Sequence, residues 1–379
     1  MQNKRGYLPL LRDLIGFPTV SADSNLALID HAGSFLAARG YETERSPNKK
    51  GDKANLLARI GPDVAGGIAL SGHTDVVPVS GQDWNDDPFE MTERDNHLYG
   101  RGTADMKGFI ALALEAAGSV DAARLKRPLY LLLTYDEETG CQGAMALQER
   151  LQAMPMKPEF VLIGEPTGMQ LVTAHKGIQQ MVTRVRGKPG HSSRPDLGAS
   201  AIEFAARYVS RIGEALPQDR DEEFNPPVTT FNIGVIKGGE AVNIISEFCE
   251  LQWEFRHLPA QDPSLIHGEL NRLSDEIKSQ MRGISVQTQV AAAVPAMLAG
   301  KNRGVVEHLK QYIQPPEPLV TTAPFVTEGG LYQQAGIPAV ICGPGLLEQA
   351  HQPNENVSLQ AMDECRTFLS RVIADLVAK

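Results

Sequence analysis

The chain has 379 residues, 42% of them hydrophobic and 22% charged, with 35 Gly and 25 Pro to serve turns. That length suggests two or three domains of an ordinary globular protein. Acidic residues outnumber basic ones, the formal charge is -10 and no basic tract stands out, which argues against nucleic acid as a partner. No stretch is long enough to span a bilayer, so no membrane partner is expected. The start, MQNKRGYLPLLRDLIGFPTV, is slightly basic but is followed by no apolar run of signal-peptide length. Cys141, Cys249, Cys342 and Cys365 show neither metal-finger nor disulfide-framework spacing, so free thiols and a cytoplasmic location are expected.

In chain order, the pattern predicts a helix over Tyr7–Ile15, a loop through Phe17–Ser21, and a second helix from about Ala27 to Arg39 stopped by Gly40. NLLARI and GIALSGHTD read as buried strands, the latter leaving His73 and Asp75 at its end. Asp105 falls in the Gly-rich GRGTADMKG, ahead of a helix. PLYLLLTYDEE is a strand with Glu137 and Glu138 at its carboxyl end, and EFVLIGEPT does the same for Glu165. The middle differs: a strand at IQQMVTRVRG, a helix over GASAIEFAARYVSRIGEAL, a hairpin of TTFNIGVIKGG with SEFCELQWEFRHLP, a helix from PSLIHGEL, and a strand at ISVQTQVAAAV. That β-α-β-β-α-β order is the split motif of ferredoxin-like domains. PAVICGPG is then a strand, QAHQPNE a loop carrying His351, and a last helix starts near Gln360. The reading is a three-layer α/β domain, with a mainly parallel sheet, over residues 1–176 and 292–379. An α+β domain is inserted at 177–291.

Each acid or histidine has an ordinary explanation on its own. His73 could be a polar loop residue, Asp105 a turn or helix cap, and Glu137-Glu138 a solvated pair. Together they differ: five loops present a ligand type at one sheet edge, and adjacent carboxylates close a strand as apolar as LYLLLTY. Two imidazoles and several carboxylates suffice for two divalent metals sharing one carboxylate, which points to hydrolysis. Without cysteine in the set, Zn, Co or Mn would serve. Which of Glu137 and Glu138 is ligand and which is base stays open on the residues alone. Cys141, three positions on, reads as an inert core residue.

HTDVVP, GRGTADMKG, DEETG, GEPT, GHSSRP and the terminal histidine loop, in that order across nearly the whole chain, resemble the metal-dependent aminoacylase and carboxypeptidase family. The resemblance implies a zinc-peptidase-like catalytic domain with a ferredoxin-like lid and dimerisation domain, and a homodimer formed through the insert. It implies that His73, Asp105 and Glu165 hold one zinc and that Asp105, Glu138 and His351 hold a second. Glu137 would be the general base, Asp75 would orient His73, and the bond after Asp105 would be cis. His191, in the insert, would donate to the developing oxyanion, often in the partner subunit's site. Asn243 and Arg256 would hold the substrate, and Glu328 would meet a cationic side chain or hold a neighbouring loop. The alternatives for isolated residues are a helix-start contact for His191 and a structural salt bridge for Arg256.

GTADMKGF, GEPT with AHKG, and CGPG with QAHQP are most similar to members acting on N2-acetyl-L-ornithine in arginine biosynthesis, a small N-acyl amino acid. One familiar pattern, glutamate directly before APF, is absent, since Thr322 stands there. Hydrolysis of succinylated diaminopimelate, of acyl amino acids generally or of dipeptides is the near alternative. A non-catalytic, metal-stabilised binding protein is the remote one, and the intact Glu137 argues against it. A two-metal phosphoesterase would want an Arg/Lys cluster among the metal motifs, and none is evident.

Overall fold

The computed structural model describes residues 5–313 and 319–378; the slightly basic Met1–Lys4 lies outside them. It opens with helix α1 (Tyr7–Ile15) and α2 (Leu26–Ala37), each burying one stripe of apolar residues. Strands β1 (Glu42–Pro47), β2 (Ala54–Ile60) and β3 (Ile68–His73) follow, then a small pair β4 (Thr92–Arg94) and β5 (His97–Tyr99). Next come α3 (Lys107–Gly118), β6 (Leu129–Thr134), α4 (Gln142–Ala153), β7 (Phe160–Ile163) and β8 (Leu171–His175). The middle holds β9 (Gly177–Arg186), β10 (Gly190–His191), α5 (Ala201–Arg211), β11 (Thr230–Gly238), β12 (Ile244–Ile245), β13 (Phe248–His257), α6 (Pro263–Gln280) and β14 (Ser285–Val294). The chain ends with α7 (Arg303–Lys310), β15 (Val320–Ala323), α8 (Gly329–Gln334), β16 (Ala339–Ile341), β17 (Asn356–Ser358) and α9 (Leu359–Ala378).

Two compact units result. One comprises the described parts of residues 1–174, 297–322 and 327–379, the other 175–296 with 323–326. The first is built on an eight-stranded sheet in the order β1-β2-β6-β3-β7-β16-β8-β15. Its centre, β6-β3-β7-β16, is parallel, while β1-β2, β2-β6 and β16-β8 are antiparallel. The expected mainly parallel sheet is therefore mixed, because β1 returns into β2 through residues 48–53. That link is too short for a parallel crossover, which needs a dozen or more residues. The central strands are buried throughout, which is why they read as unbroken apolar runs. α1, α2, α3 and α9 share one hydrophobic core with them.

The second unit has a four-stranded sheet in the order β11-β13-β9-β14, every pair antiparallel. Strand β13 alternates, turning Cys249, Leu251, Trp253 and Phe255 inward, and α5 and α6 pack there through Phe204, Tyr208, Leu270 and Ile277. Both helices are capped by side chains: Ser200 Oγ accepts from Glu203 N–H, and Asp262 Oδ1 from Ser264 N–H. No described helix is long and apolar enough to cross a membrane, and all four cysteines are buried and free.

Candidate metal centre

The parallel strands end on one side of the sheet, where ligand-binding groups of such folds collect. Helix α3 draws the loops there together. A Cβ on Gly72 would meet Ile110 at 2.9 Å, and one on Gly164 would meet the Phe109 ring at 1.8 Å. Glycine ahead of His73 and of Glu165 thus lets α3 approach both strand ends, and Asp105, just before the helix, reaches His73. The Asp105–Met106 bond is cis.

His73 Nε2 lies 3.0 Å from Asp105 Oδ1 and 3.8 Å from Glu165 Oε2. Its Nδ1 lies 2.9 Å from the backbone oxygen of Asp75 and 3.6 Å from that residue's carboxylate. A carbonyl oxygen only accepts, so Nδ1 carries a proton and Nε2 faces the acids. The main chain of Asp75, rather than its carboxylate, is therefore the hydrogen-bond partner of the ring. The carboxylate is engaged elsewhere: it accepts from Ser21 Oγ at 2.7 Å, from Glu137 N–H at 3.1 Å and from Glu138 N–H at 3.3 Å. Asp75 thereby holds the backbone of the adjacent glutamates. Asp136, at φ 55°, precedes that pair and is tied to the buried Lys53 amine.

His351 Nε2 lies 3.0 Å from Glu138 Oε2 and 3.4 Å from Asp105 Oδ2. Asp105 therefore turns one oxygen to His73 and the other to His351. Potential ligand atoms of His73, Glu137 and Glu165 gather within 4.8 Å of one another, as do those of His73, Asp105 and Glu138.

Four carboxylates share this space, and among the described residues no Lys or Arg ion pair reaches any of them. Burial, reinforced by Glu165, pushes the Glu137 carboxyl well above its ordinary range, and burial also raises Glu138. Burial lifts Glu165 to about 7. Burial works against charge on His73, yet Glu165 and Asp105 hold its pKa well above normal. Hydrogen bonds to Asp105 and Glu138 raise His351 to about 10. Glu165 Oε1 is buried without a hydrogen-bond partner. Crowded oxygen and imidazole donors, an excess of negative charge and an unpaired buried carboxylate oxygen fit a pair of divalent cations.

The other expected site residues lie apart from this cluster in sequence. His191 and Asn243 come together in the second unit, where β10 pairs with β12 and Ser192 N–H donates to the Asn243 carbonyl at 3.1 Å. His191 is exposed, and its Nδ1 accepts from Ser193 N–H at 3.1 Å, which leaves Nε2 as the protonated nitrogen of the neutral ring. Arg256, on β13, donates through Nε to Glu254 at 3.0 Å. In the first unit, Glu328 immediately precedes α8 and is 1% exposed. Its Oε2 accepts from Tyr332 at 2.8 Å and Ser71 at 3.3 Å, and burial raises its carboxyl pKa. Cys141 is buried, with its thiol 3.6 Å from Glu137 Oε1.

Sequence reading passed over a second layer. Glu355, four residues after His351, is wholly buried against Arg101 and the loop carrying Asp105. Its bonds run to main-chain N–H groups, which leave no mark on residue type. A buried acid in NENV and an arginine in GRGT were the only signals.

The model of peptidase family M20/M25/M40 matches residues 69–375. The acetylornithine deacetylase of Photorhabdus laumondii is 36% identical over 381 residues, covering 97% of this chain and 96% of its own. Aminopeptidase PepT of Bacillus cereus superposes with a TM-score of 0.79 at 21% identity, over 100% of this chain and 99% of that one. The Bacillus subtilis YXEP protein, a dinuclear metal-binding peptidase, does so with a TM-score of 0.73 at 14% identity, over 98% and 97%. Motif order, fold and overall sequence agree, and the chain belongs to the peptidase family M20/M25/M40.

Proposed function

We propose that the protein hydrolyses N2-acetyl-L-ornithine to L-ornithine and acetate, a step of arginine biosynthesis in the cytoplasm. The observation that carries the chemistry is the cluster of His73, Asp105, Glu138, Glu165 and His351 with Glu137 among them. The substrate rests on full-length similarity to proteins named for that activity. His73, Asp105 and Glu165 would hold one metal, and Asp105, Glu138 and His351 the other, with zinc the first choice and cobalt or manganese able to replace it. When bound, two such cations polarise an amide oxygen and make water acidic enough to attack at neutral pH.

Glu137 takes a proton from the attacking water and returns it to the leaving nitrogen, the work of a general base that becomes a general acid. Asp75 steadies Glu137 and Glu138 through their backbone N–H groups. His191 donates from Nε2 to the oxygen that becomes negative, a role that its Ser193 contact supports. Asn243 holds the substrate amide, and Arg256 presents a planar fork to the α-carboxylate once it gives up Glu254. The first unit serves as catalytic domain and the second as lid and dimerisation domain. A homodimer is supported by the edge strand β11, which leaves Phe231 and Ile236 exposed.

One observation favours a second reading, a general N-acyl-amino-acid amidohydrolase. Glu328, the acid expected to meet the ornithine cation, is buried, with Oε2 taken by Tyr332 and Ser71 and Oε1 buried without a hydrogen-bond partner. Of its two expected jobs, burial supports the structural one, joining α8 to β3. Amine release from acetylornithine, acetylmethionine and N-succinyl-L,L-diaminopimelate separates the readings. The proposal expects kcat/KM for acetylornithine to exceed that for the succinyl substrate by at least about tenfold, roughly 1.4 kcal/mol of transition-state discrimination. Equal rates for acetylornithine and acetylmethionine select the general enzyme. Chelation should abolish all turnover and added metal restore it; full activity in metal-free protein overturns the mechanism.

A further inference from the structure

Glu355 is 0% exposed, yet it belongs to none of the roles above. A buried carboxylate is costly unless every lone pair is used. Here Oε1 accepts from Ala104 N–H at 2.8 Å and from Asp105 N–H at 3.0 Å. Oε2 accepts from Arg101 Nη1 at 2.7 Å and from Gly102 N–H at 3.0 Å. The Glu355 carbonyl also accepts from Gly100 N–H at 3.0 Å. One residue of the His351 loop thus engages four of the six main-chain N–H groups from Gly100 to Asp105. Gly102 sits at φ +90°, a conformation that helps successive N–H groups converge on an anion.

Arg101 extends the connection. Its Nη2 donates to Gln82 Oε1 at 2.6 Å, and Gln82 Nε2 donates to the His351 carbonyl at 2.9 Å. The two loops are therefore joined at Asp105 by Glu355 and at His351 by Gln82, with Arg101 between. His351 itself has φ 62°. Such a conformation is uncommon for a residue other than glycine and persists where surrounding bonds fix it.

We propose that Glu355, Arg101 and Gln82 are positioning residues that set Asp105 and His351 across the second metal position, which depends on both, while the His73–Glu165 position shares only Asp105 with it and depends on them less. The proposal rests on the two-metal reading above. Glu355→Gln keeps the shape but replaces one acceptor oxygen with a donor, which opposes two of the four incoming donors. The test is a metal titration of apo-protein with zinc against a competing chelator, with stoichiometry by elemental analysis. Wild type should take two zinc ions. In the Glu355→Gln variant one should bind roughly 10–100-fold more weakly, the range for lost outer-shell partners, with the other, which shares only Asp105, weakened clearly less. The half-buried Gln82, less exposed to a folding defect, serves as the second variant: Gln82→Leu should weaken the same ion in the same direction. Two ions bound as in wild type by both variants, or equal weakening of both ions, overturns the clamp. A wild-type protein that takes no zinc overturns the two-metal reading itself, which keeps the two failures distinct.

Discussion

Glu137 and Glu138 are neighbours in sequence with different surroundings. Glu138 faces His351, while Glu137 groups with His73 and Glu165. Glu137→Ala should therefore keep both metals and lose about 10²–10⁴-fold in kcat, the range of a general base. Glu138→Ala should release one metal on dialysis. Elemental analysis of the two variants beside their rates checks the assignment, and the reverse pattern would exchange the roles. Glu328 makes a separate prediction. Because it is buried, with Oε2 bonded to Tyr332 and Ser71, Glu328→Gln should leave the ratio of kcat/KM for acetylornithine over acetylmethionine within about twofold, well inside the tenfold that 1.4 kcal/mol represents. A collapse of that ratio would show that the carboxylate meets the substrate's cation. His73, Glu137, Glu138 and Glu165 could be read from sequence because each closely follows an unmistakable strand, while Asp105 and His351 lie in loops and showed only through their motifs. Glu355 could not, since what it does is accept main-chain hydrogen bonds.

At the level of strands and helices, the same contrast recurs. LYLLLT and FVLI are buried on both faces, so their composition alone announces them. β1, ETERSP, lies at the sheet edge and is mostly exposed, and its composition gives no strand signal. The antiparallel run of β1 and β2 follows from a short connection that hydrophobicity does not report. In the second unit the alternation of β13 was plain, but its last inward residue is His257, 3% exposed. His257 Nδ1 donates to the Leu258 carbonyl at 3.0 Å, and Nε2 is buried without a partner. Burial holds this ring's pKa below the ordinary 6.5. Below about 6.5 the unfolded chain gains a proton that the folded one refuses, so stability falls with pH until the lower folded value is passed. His257→Gln should make that acid loss shallower. Trp253, on the same strand, reports it: urea midpoints by fluorescence at pH 7.5 and 5.5, in a Trp84→Phe background, should lie closer together in the variant than in its parent. An unchanged gap would exclude His257 as a source.

For the whole molecule, the prediction concerns assembly. If His191 serves the partner's site, chains carrying His191→Ala and chains carrying Glu137→Ala should each be nearly inactive, yet regain turnover when mixed and allowed to exchange. Statistical exchange would place one intact site in each heterodimer. Sedimentation at assay concentration completes the test, since a fully active monomer would remove any role for His191 in trans.

The place of β16 has a consequence for how the chain is made. This strand, Ala339–Ile341, lies between β7 and β8, both made before the inserted unit. A ribosome that has released the first 338 residues has produced a sheet with a gap between β7 and β8. His73, Asp105, Glu137, Glu138 and Glu165 are already out, but His351 and Glu355 are not. Synthesis at about 5–20 residues per second leaves that gap open for many seconds, with two apolar strand edges facing one another. The nascent chain is thus most prone to mispairing just before its final segment, and no message truncated ahead of residue 339 can yield a closed sheet.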